Sequence, residues 1–394
     1  MRCERTKWHG RAAWILANDV LQLTHLSGGG HIVDFRLADR SSVSPLWVPR
    51  WKTQEPFQFT SKTDSKKFGE PAIGKLLCGI VGHSLCLDLF GMPSPEEIQD
   101  GLTLHGEAGV SKWQMSGKKI SGKKTANEVV LTAKVRLPKA GLSFVRELRL
   151  REGEPVIYVR ETVSNDRAVD RYFQWQHHVT LGPPFLSAKD CRINLPGARG
   201  RTFPHGYEGH EALASGKDFD WPYAPNFDRG RVDLRRPLSM DRRGFVAGVR
   251  IAPQRERAFV CAVNTRLSLA IGYVFRRKDF PWVALWEENR ARKSSPWRGR
   301  EHVRGLEFGV SPLPMTREEN FALGKLFGMP TLAHVRAKGS VEATYAMFLS
   351  RVPRGTTAIH DVSVGKDRKS LDLKISSGKI MHSVPAKLVR EYLK

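Results

Sequence analysis

Residues 171–185 read RYFQWQHHVTLGPPF, and the two adjacent histidines in this stretch decide how the rest of the chain is read. Aromatic and β-branched residues running into Gly-Pro-Pro mark a strand, and strand side chains alternate between faces with a period of two. Phe173, Trp175, His177, Val179 and Leu181 therefore share one mostly apolar face, while Gln174, Gln176, His178 and Thr180 form a polar row on the other. Such a strand belongs to a sheet that packs on a core with one side and offers the other to a ligand. His178 is then the candidate for chemistry and His177 the core histidine.

The same pattern recurs along the chain. EVVLTAKVRL (128–137), LSFVRELRL (142–150), PVIYVRETVSN (155–165) and RAFVCAVN (257–264) are short, β-branched and separated by turn residues, so the fold is all-β, a large antiparallel β-sandwich. Helical signals are few. Ser94 caps SPEEIQ, Thr316 and Glu319 have capping-box spacing before FALGKLF, and the tail PAKLVREYLK is a third candidate. No 20–50-residue repeat suggests a propeller, and no linker breaks the chain, which is expected to form one domain over 1–394. The aromatic-rich FDWPYAPNFD segment (219–228) lies in a long loop that could rim a groove or simply pack on itself.

With 394 residues and 40% hydrophobic residues, the chain can bury a sizeable core. Its formal charge of +24 makes an acidic partner worth considering. The basic residues are spread over the whole chain without any nucleic-acid-binding motif, so a basic solvated surface is expected rather than nucleic-acid binding. Five scattered cysteines without a CxxC pair argue against a disulfide framework or structural zinc. The N-terminus lacks a secretory pattern and no run of apolar residues is long enough to span a bilayer, so a cytoplasmic protein without membrane partners is expected. GK[ST], GxSxG and HExxH are absent. His83, His105, His178 and His302 lie in separate segments without ligand spacing, and no metal is expected on them.

Alternation in FPWVALWEENR sets Trp282, Ala284, Trp286 and Glu288 on one face. A tryptophan beside a carboxylate suits a sugar, because indole packs on pyranose C–H groups while the carboxylate accepts from hydroxyls. The alternative is a core Trp286 with Glu288 paired to a nearby arginine. In VRGLEFGVSP, Glu307 stands between Gly305 and Gly309, which leaves room for a ligand or marks a bulge. In LTLHGEAGVSKWQ (102–114), His105 points away from Leu102 and Leu104, toward the same groove.

Taken together and in this order, LHGEAGVSKW, the strand ending at Asn165 followed by QWQHHVTLGPPF, and RGLEFG resemble the aldose 1-epimerase (galactose mutarotase-like) superfamily. SGGGHIVDFRL is similar to the family's opening hairpin. The resemblance implies a supersandwich and an isomerase that interconverts the α and β anomers of a hexose without a cofactor. Carried over, Glu307 is the base that takes the anomeric proton and His178 the acid that protonates the ring oxygen, with mutual attraction favouring the ionised pair. The resemblance implies that His105 holds a sugar hydroxyl or shares the acid role. The family's arginine segment is replaced by GHSLCLDLFG, where His83 would take over binding, and its sugar-binding aspartate is matched by Glu288, Asp218 or Asp220. The basic composition leaves open an anionic sugar met by Arg290, Arg292 or Arg304. The alternative from another class is a catalytically inactive carbohydrate-binding module or sugar sensor; a polysaccharide enzyme on a related sandwich is the third reading.

Overall fold

The computed structural model describes residues 1–39, 43–122 and 125–394. Two antiparallel sheets stack face to face. The twelve-stranded sheet carries, side by side at its centre, the strands His83–Asp88, Arg171–Leu181, His302–Gly309, Trp282–Asn289 and Arg243–Ile251. The eight-stranded sheet runs from Cys191–Asn194 through Arg257–Asn264, Leu269–Arg276, Ser340–Arg351, Val156–Asn165, Leu142–Arg151 and Thr125–Leu137 to Gln114–Gly122. Apart from the segment around His105, every strand foreseen from the sequence lies in one of these two sheets, and the chain has the galactose mutarotase-like β-sandwich that the motifs implied.

Alternation explains which residues fill the space between the sheets. Trp175, Val179, Leu285 and Phe308 from one sheet meet Phe144, Val159, Ile271 and Tyr345 from the other in one continuous core. RAFVCAVN is apolar without alternation because both of its faces are buried. Its Phe259, Cys261 and Val263 pack outward against a third, three-stranded sheet, Ile359–Val364, Ser370–Ile375 and Ile380–Pro385. The expected tail helix is a single turn, Val389–Tyr392, that buries Tyr392 in this same layer. The foreseen cap at Ser94 and capping box at Thr316 are both present, and Ser94 proves to form a capping box as well, with Glu97.

Two helices ahead of the His83 strand escaped the sequence reading, Ser61–Phe68 and Pro71–Leu77. SKTDSKKF is almost wholly polar and buries only Phe68, so it offers no 3.6-residue apolar period. Asp64 in its first turn and Lys66 and Lys67 in its last complement the helix dipole. These helices belong to a segment from Trp47 to Ile80 that packs over the polar face of the larger sheet. The polar row is therefore not solvated: Gln174, Gln176, His178 and Thr180 are all buried.

A charged group sits in the core between the sheets. Arg146 and Glu161, register partners on neighbouring strands, form an ion pair of 2.6 Å with both side chains fully buried. His177 from the opposite sheet approaches the second Glu161 oxygen at 3.3 Å, and the Tyr345 hydroxyl donates to the first at 3.0 Å. Burial alone would raise the Glu161 pKa, but His177 and Arg146 hold it down to about 2. Arg146→Met leaves this carboxylate without its guanidinium, and a loss of about 3–5 kcal/mol is expected in urea unfolding at pH 7. Because the folded pKa is depressed, Glu161's contribution is present above its unfolded pKa of about 4.3 and is lost as pH falls toward 2. The Arg146→Met penalty should accordingly shrink in urea series run below pH 4.

Candidate active site

The register of four strands assembles the site. Gln176 lies opposite Gly309 and Thr180 opposite Gly305, which sets His178 beside Glu307. Glu307 in turn pairs across to Ala284 and Gly305 to Trp286. His178, Glu307 and Trp286 thus emerge on one face, as the alternation required. Glu307 Oε1 is 3.3 Å from His178 Nε2, and the His178 ring is 5.0 Å from that of His105 and 5.4 Å from that of Trp286. Exposure is small throughout: 2% for Glu307, 5% for His178 and 8% for Trp286.

His105 arrives differently from the expectation. Residues 102–107 form a turn rather than a strand, with His105 itself in the left-handed region at φ 65°. Its ring is held by Nδ1, which donates to the Phe90 carbonyl at 2.6 Å and leaves Nε2 unprotonated. The adjacent Gly106 is required because a Cβ there would meet the backbone of Leu87 and Asp88.

Electrostatics set the resting protonation of the pair. Burial pushes the Glu307 carboxyl well above its ordinary pKa, with only partial opposition from the charge of Arg304. Burial also pushes His178 well below 6.5, and His105 adds to this. Mutual attraction was expected to favour the ionised pair with a sugar engaged; in the site as it stands, desolvation pushes both groups toward their neutral forms. His178 Nδ1 lies 3.0 Å from the Thr180 hydroxyl; when Nδ1–H donates there, Nε2 faces Glu307 as an acceptor. Glu307 Oε1 is buried without a well-formed hydrogen bond, an incomplete arrangement for a core carboxyl.

Trp286 is fixed from behind. Its indole N–H donates to the Tyr207 hydroxyl at 2.8 Å, which donates to Glu288 Oε2 at 2.8 Å. Glu288 Oε1 accepts from the backbone N–H of Arg292 and of Ala291. Both oxygens of Glu288 are thus occupied, and the residue holds Trp286, Tyr207 and the 290s loop together. Tyr207 and Trp297 are members of this constellation that periodicity could not reveal, since both stand in irregular segments.

Several residues singled out in the sequence lie elsewhere. His83 pairs in register with Val179, so it faces the core, with Nε2 3.2 Å from His177 and the Tyr273 hydroxyl at 3.4 Å from Nδ1. It cannot replace the missing arginine from that side of the sheet. Arg304 also faces inward, bonded to Glu287, and Arg290 is exposed beside Asp241. Arg292 alone of the three is adjacent, its guanidinium 4.9 Å over Tyr207 and 5.2 Å from Trp297. Asp218 binds Arg201 at the sheet edge, where Asp218–Asp220 is the last strand, and the aromatic segment continues into a separate hairpin of Tyr223–Pro225 with Arg231–Asp233 rather than rimming this site. The gaps at Gly305 and Gly309 are filled by the Glu307 carboxylate and the Gln176 amide, which a Cβ would overlap. His302 contacts Glu287 at 3.0 Å, away from His178.

Against known proteins, the family model described as a domain of unknown function (DUF4432) matches residues 74–331. No curated protein is significantly similar in sequence. Among solved structures, a proposed aldose 1-epimerase of Klebsiella pneumoniae superposes with a TM-score of 0.63 at 16% identity, over 86% of this chain and 79% of that one. One of Escherichia coli K12 gives 0.54 at 15% identity over 86% and 99%. A galactose mutarotase-like protein of Clostridium acetobutylicum gives 0.51 at 10% identity over 89% and 99%. At these identities the likeness is one of fold.

Burial carries a pH signature. His25 is pushed down to about 3 and His105 to about 4, and His31, His83 and His178 well below 6.5, in each case first by desolvation. The unfolded chain takes up these protons at about pH 6.5 and the folded chain does not, so this stabilisation is complete above that pH and declines as pH falls toward 4. The urea midpoint should rise steeply between pH 4 and 6.5 and then level off, and the His178 imidazole nitrogens should show no titration between pH 5.5 and 8 by ¹⁵N NMR.

Proposed function

The chain belongs to the family described as a domain of unknown function (DUF4432), and from that premise we propose that it is an aldose 1-epimerase that interconverts the anomers of a hexose or hexose derivative. One observation carries the reading: a buried carboxyl with an unsatisfied oxygen, Glu307, 3.3 Å from His178 Nε2 and flanked by His105 and Trp286. Anomer exchange needs a base for the anomeric hydroxyl and an acid for the ring oxygen, and nothing else.

The resting pair holds one proton. Its transfer from Glu307 to His178 converts the neutral pair into a carboxylate base and an imidazolium acid, and sugar hydroxyls that donate to the carboxylate favour that form. Glu307 then removes the anomeric proton as His178 protonates the ring oxygen, the C1–O5 bond breaks, and the aldehyde rotates. Reclosure on the other face returns each proton to its origin. His105 Nε2 accepts from a sugar hydroxyl, and the Trp286 ring packs on the pyranose C–H face. Five free cysteines accord with a reducing cytoplasm as its location.

The second reading, a sugar-binding protein without catalysis, draws support from the covered site and from Glu288, whose oxygens are occupied by the protein itself. Saturation-transfer NMR between anomeric protons separates the two. Glu307→Gln and His178→Asn are each expected to lower the exchange rate on the order of 10²–10⁴-fold. Gly305→Ala, whose Cβ overlaps the Glu307 carboxylate, should cost roughly 10²-fold in rate by displacing it while the sugar still binds. Binding without accelerated exchange in the wild type would establish the second reading.

A further inference from the structure

Beside the tryptophans that flank the site lies a cleft of about 190 Å³. Arg50, Lys52, Lys67, Arg298 and Arg300 converge on it from two separate segments. None of these five side chains forms an ion pair with a carboxylate among the described residues, although arginines elsewhere in the fold commonly do. One acid, Glu301, also lines the cleft, but its oxygens are held by the Trp47 indole N–H at 2.8 Å and the Arg50 backbone N–H at 3.0 Å. Five exposed cations against the single carboxylate of Glu301 leave the depression net positive, which favours entry of an anion.

The floor is aromatic. Trp51 and Trp297 meet edge to face at 5.2 Å, and Trp47 stacks on Trp297 at 5.9 Å. Trp297 also touches Trp286 edge to face at 6.1 Å, and Trp286 is the residue against His178. The cleft and the Glu307–His178 pair are thus separated by two ring contacts. Its volume is below the ~300–1,000 Å³ of a complete small-molecule site, so it suits one group of a ligand whose remainder lies elsewhere.

We propose that this cleft is the subsite for an oxyanion carried by the carbohydrate ligand, a phosphate or a carboxylate, with Arg50, Arg298 and Arg300 as its principal donors. The assignment rests on the epimerase reading for the identity of the ligand, and on the cleft itself for the charge. Guanidinium groups offer paired N–H donors to such oxygens. The ligand is an acidic sugar: a sugar phosphate or a uronide.

Calorimetric titration with galactose, galactose 6-phosphate and digalacturonate tests this, on wild type and on the triple variant Arg50→Ala/Arg298→Ala/Arg300→Ala, with thermal unfolding as the check on integrity. At low salt at least one acidic sugar should bind about tenfold or more tighter than galactose. That advantage should fall several-fold at about 300 mM salt and vanish in the triple variant, and the sugar that shows it identifies the anion. Equal binding of all three sugars overturns the proposal, as does an acidic preference that survives the triple variant. If that variant unfolds early, the wild-type salt dependence and the single Arg300→Ala variant decide instead. Anomer exchange, followed in parallel with Glu307→Gln, keeps the two readings apart. Glu307-dependent exchange without acidic preference removes the anion subsite alone, whereas salt-sensitive acidic binding without exchange removes the epimerase alone.

Discussion

Two consecutive residues of a strand cannot face the same side of a sheet, and the molecule is arranged around that constraint at His177 and His178. His177 turns inward, 3.3 Å from the buried Glu161 that also holds Arg146. His178 turns outward, 3.3 Å from Glu307. A one-residue slip of the Arg171–Leu181 strand would exchange the two, setting a polar row against the apolar core and stranding Glu161 without its imidazole. Register here is therefore fixed from both faces at once. The same rule on the neighbouring strands sends Trp286 and Glu307 to one side and Arg304 and Glu287 to the other.

Both histidine–carboxyl contacts have the same length and opposite consequences, and the reason is the company each keeps. Glu161 has a fully desolvated guanidinium at 2.6 Å, so its charge survives burial and its pKa falls to about 2. Glu307 has no such partner; the charge of Arg304 acts on it through the sheet and does not offset desolvation, and its pKa rises. A carboxyl kept protonated beside a neutral imidazole is poised to exchange one proton, whereas one locked to arginine is not. The core pair is charged and the outer pair is pushed toward its neutral forms for this reason.

The covering of the outer face gives the site its character. The Trp47–Ile80 segment brings Trp47, Trp51, Phe68 and Leu76 over the sheet, and the 290s loop contributes Trp297. Exclusion of water raises the Glu307 pKa and strengthens the remaining electrostatic interactions, and the cover forms an aromatic wall with the Glu307–His178 pair on one side and, nearby, a cluster of cations without carboxylate partners among the described residues. Glu288 ties this cover to the sheet through Tyr207 and the 290s backbone.

The sequence by itself determined the all-β sandwich, the inward and outward assignment of His177 and His178, the facing of Trp286 and Glu307, and both helix caps. These depend on periodicity and on local hydrogen bonds, which are properties of neighbouring residues. Only the tertiary structure decided the rest. His83 seemed available from its motif, yet its strand's register with Val179 turns it into the core. Tyr207 and Trp297 sit in irregular backbone, where no period points a side chain. The cations of Arg50, Lys67 and Arg300 meet from segments roughly 230–250 residues apart in the chain, and the protonation of Glu307 follows from a burial that no single strand contains. Contact between distant segments and loss of water are collective properties of the folded chain, and neither is written in local sequence.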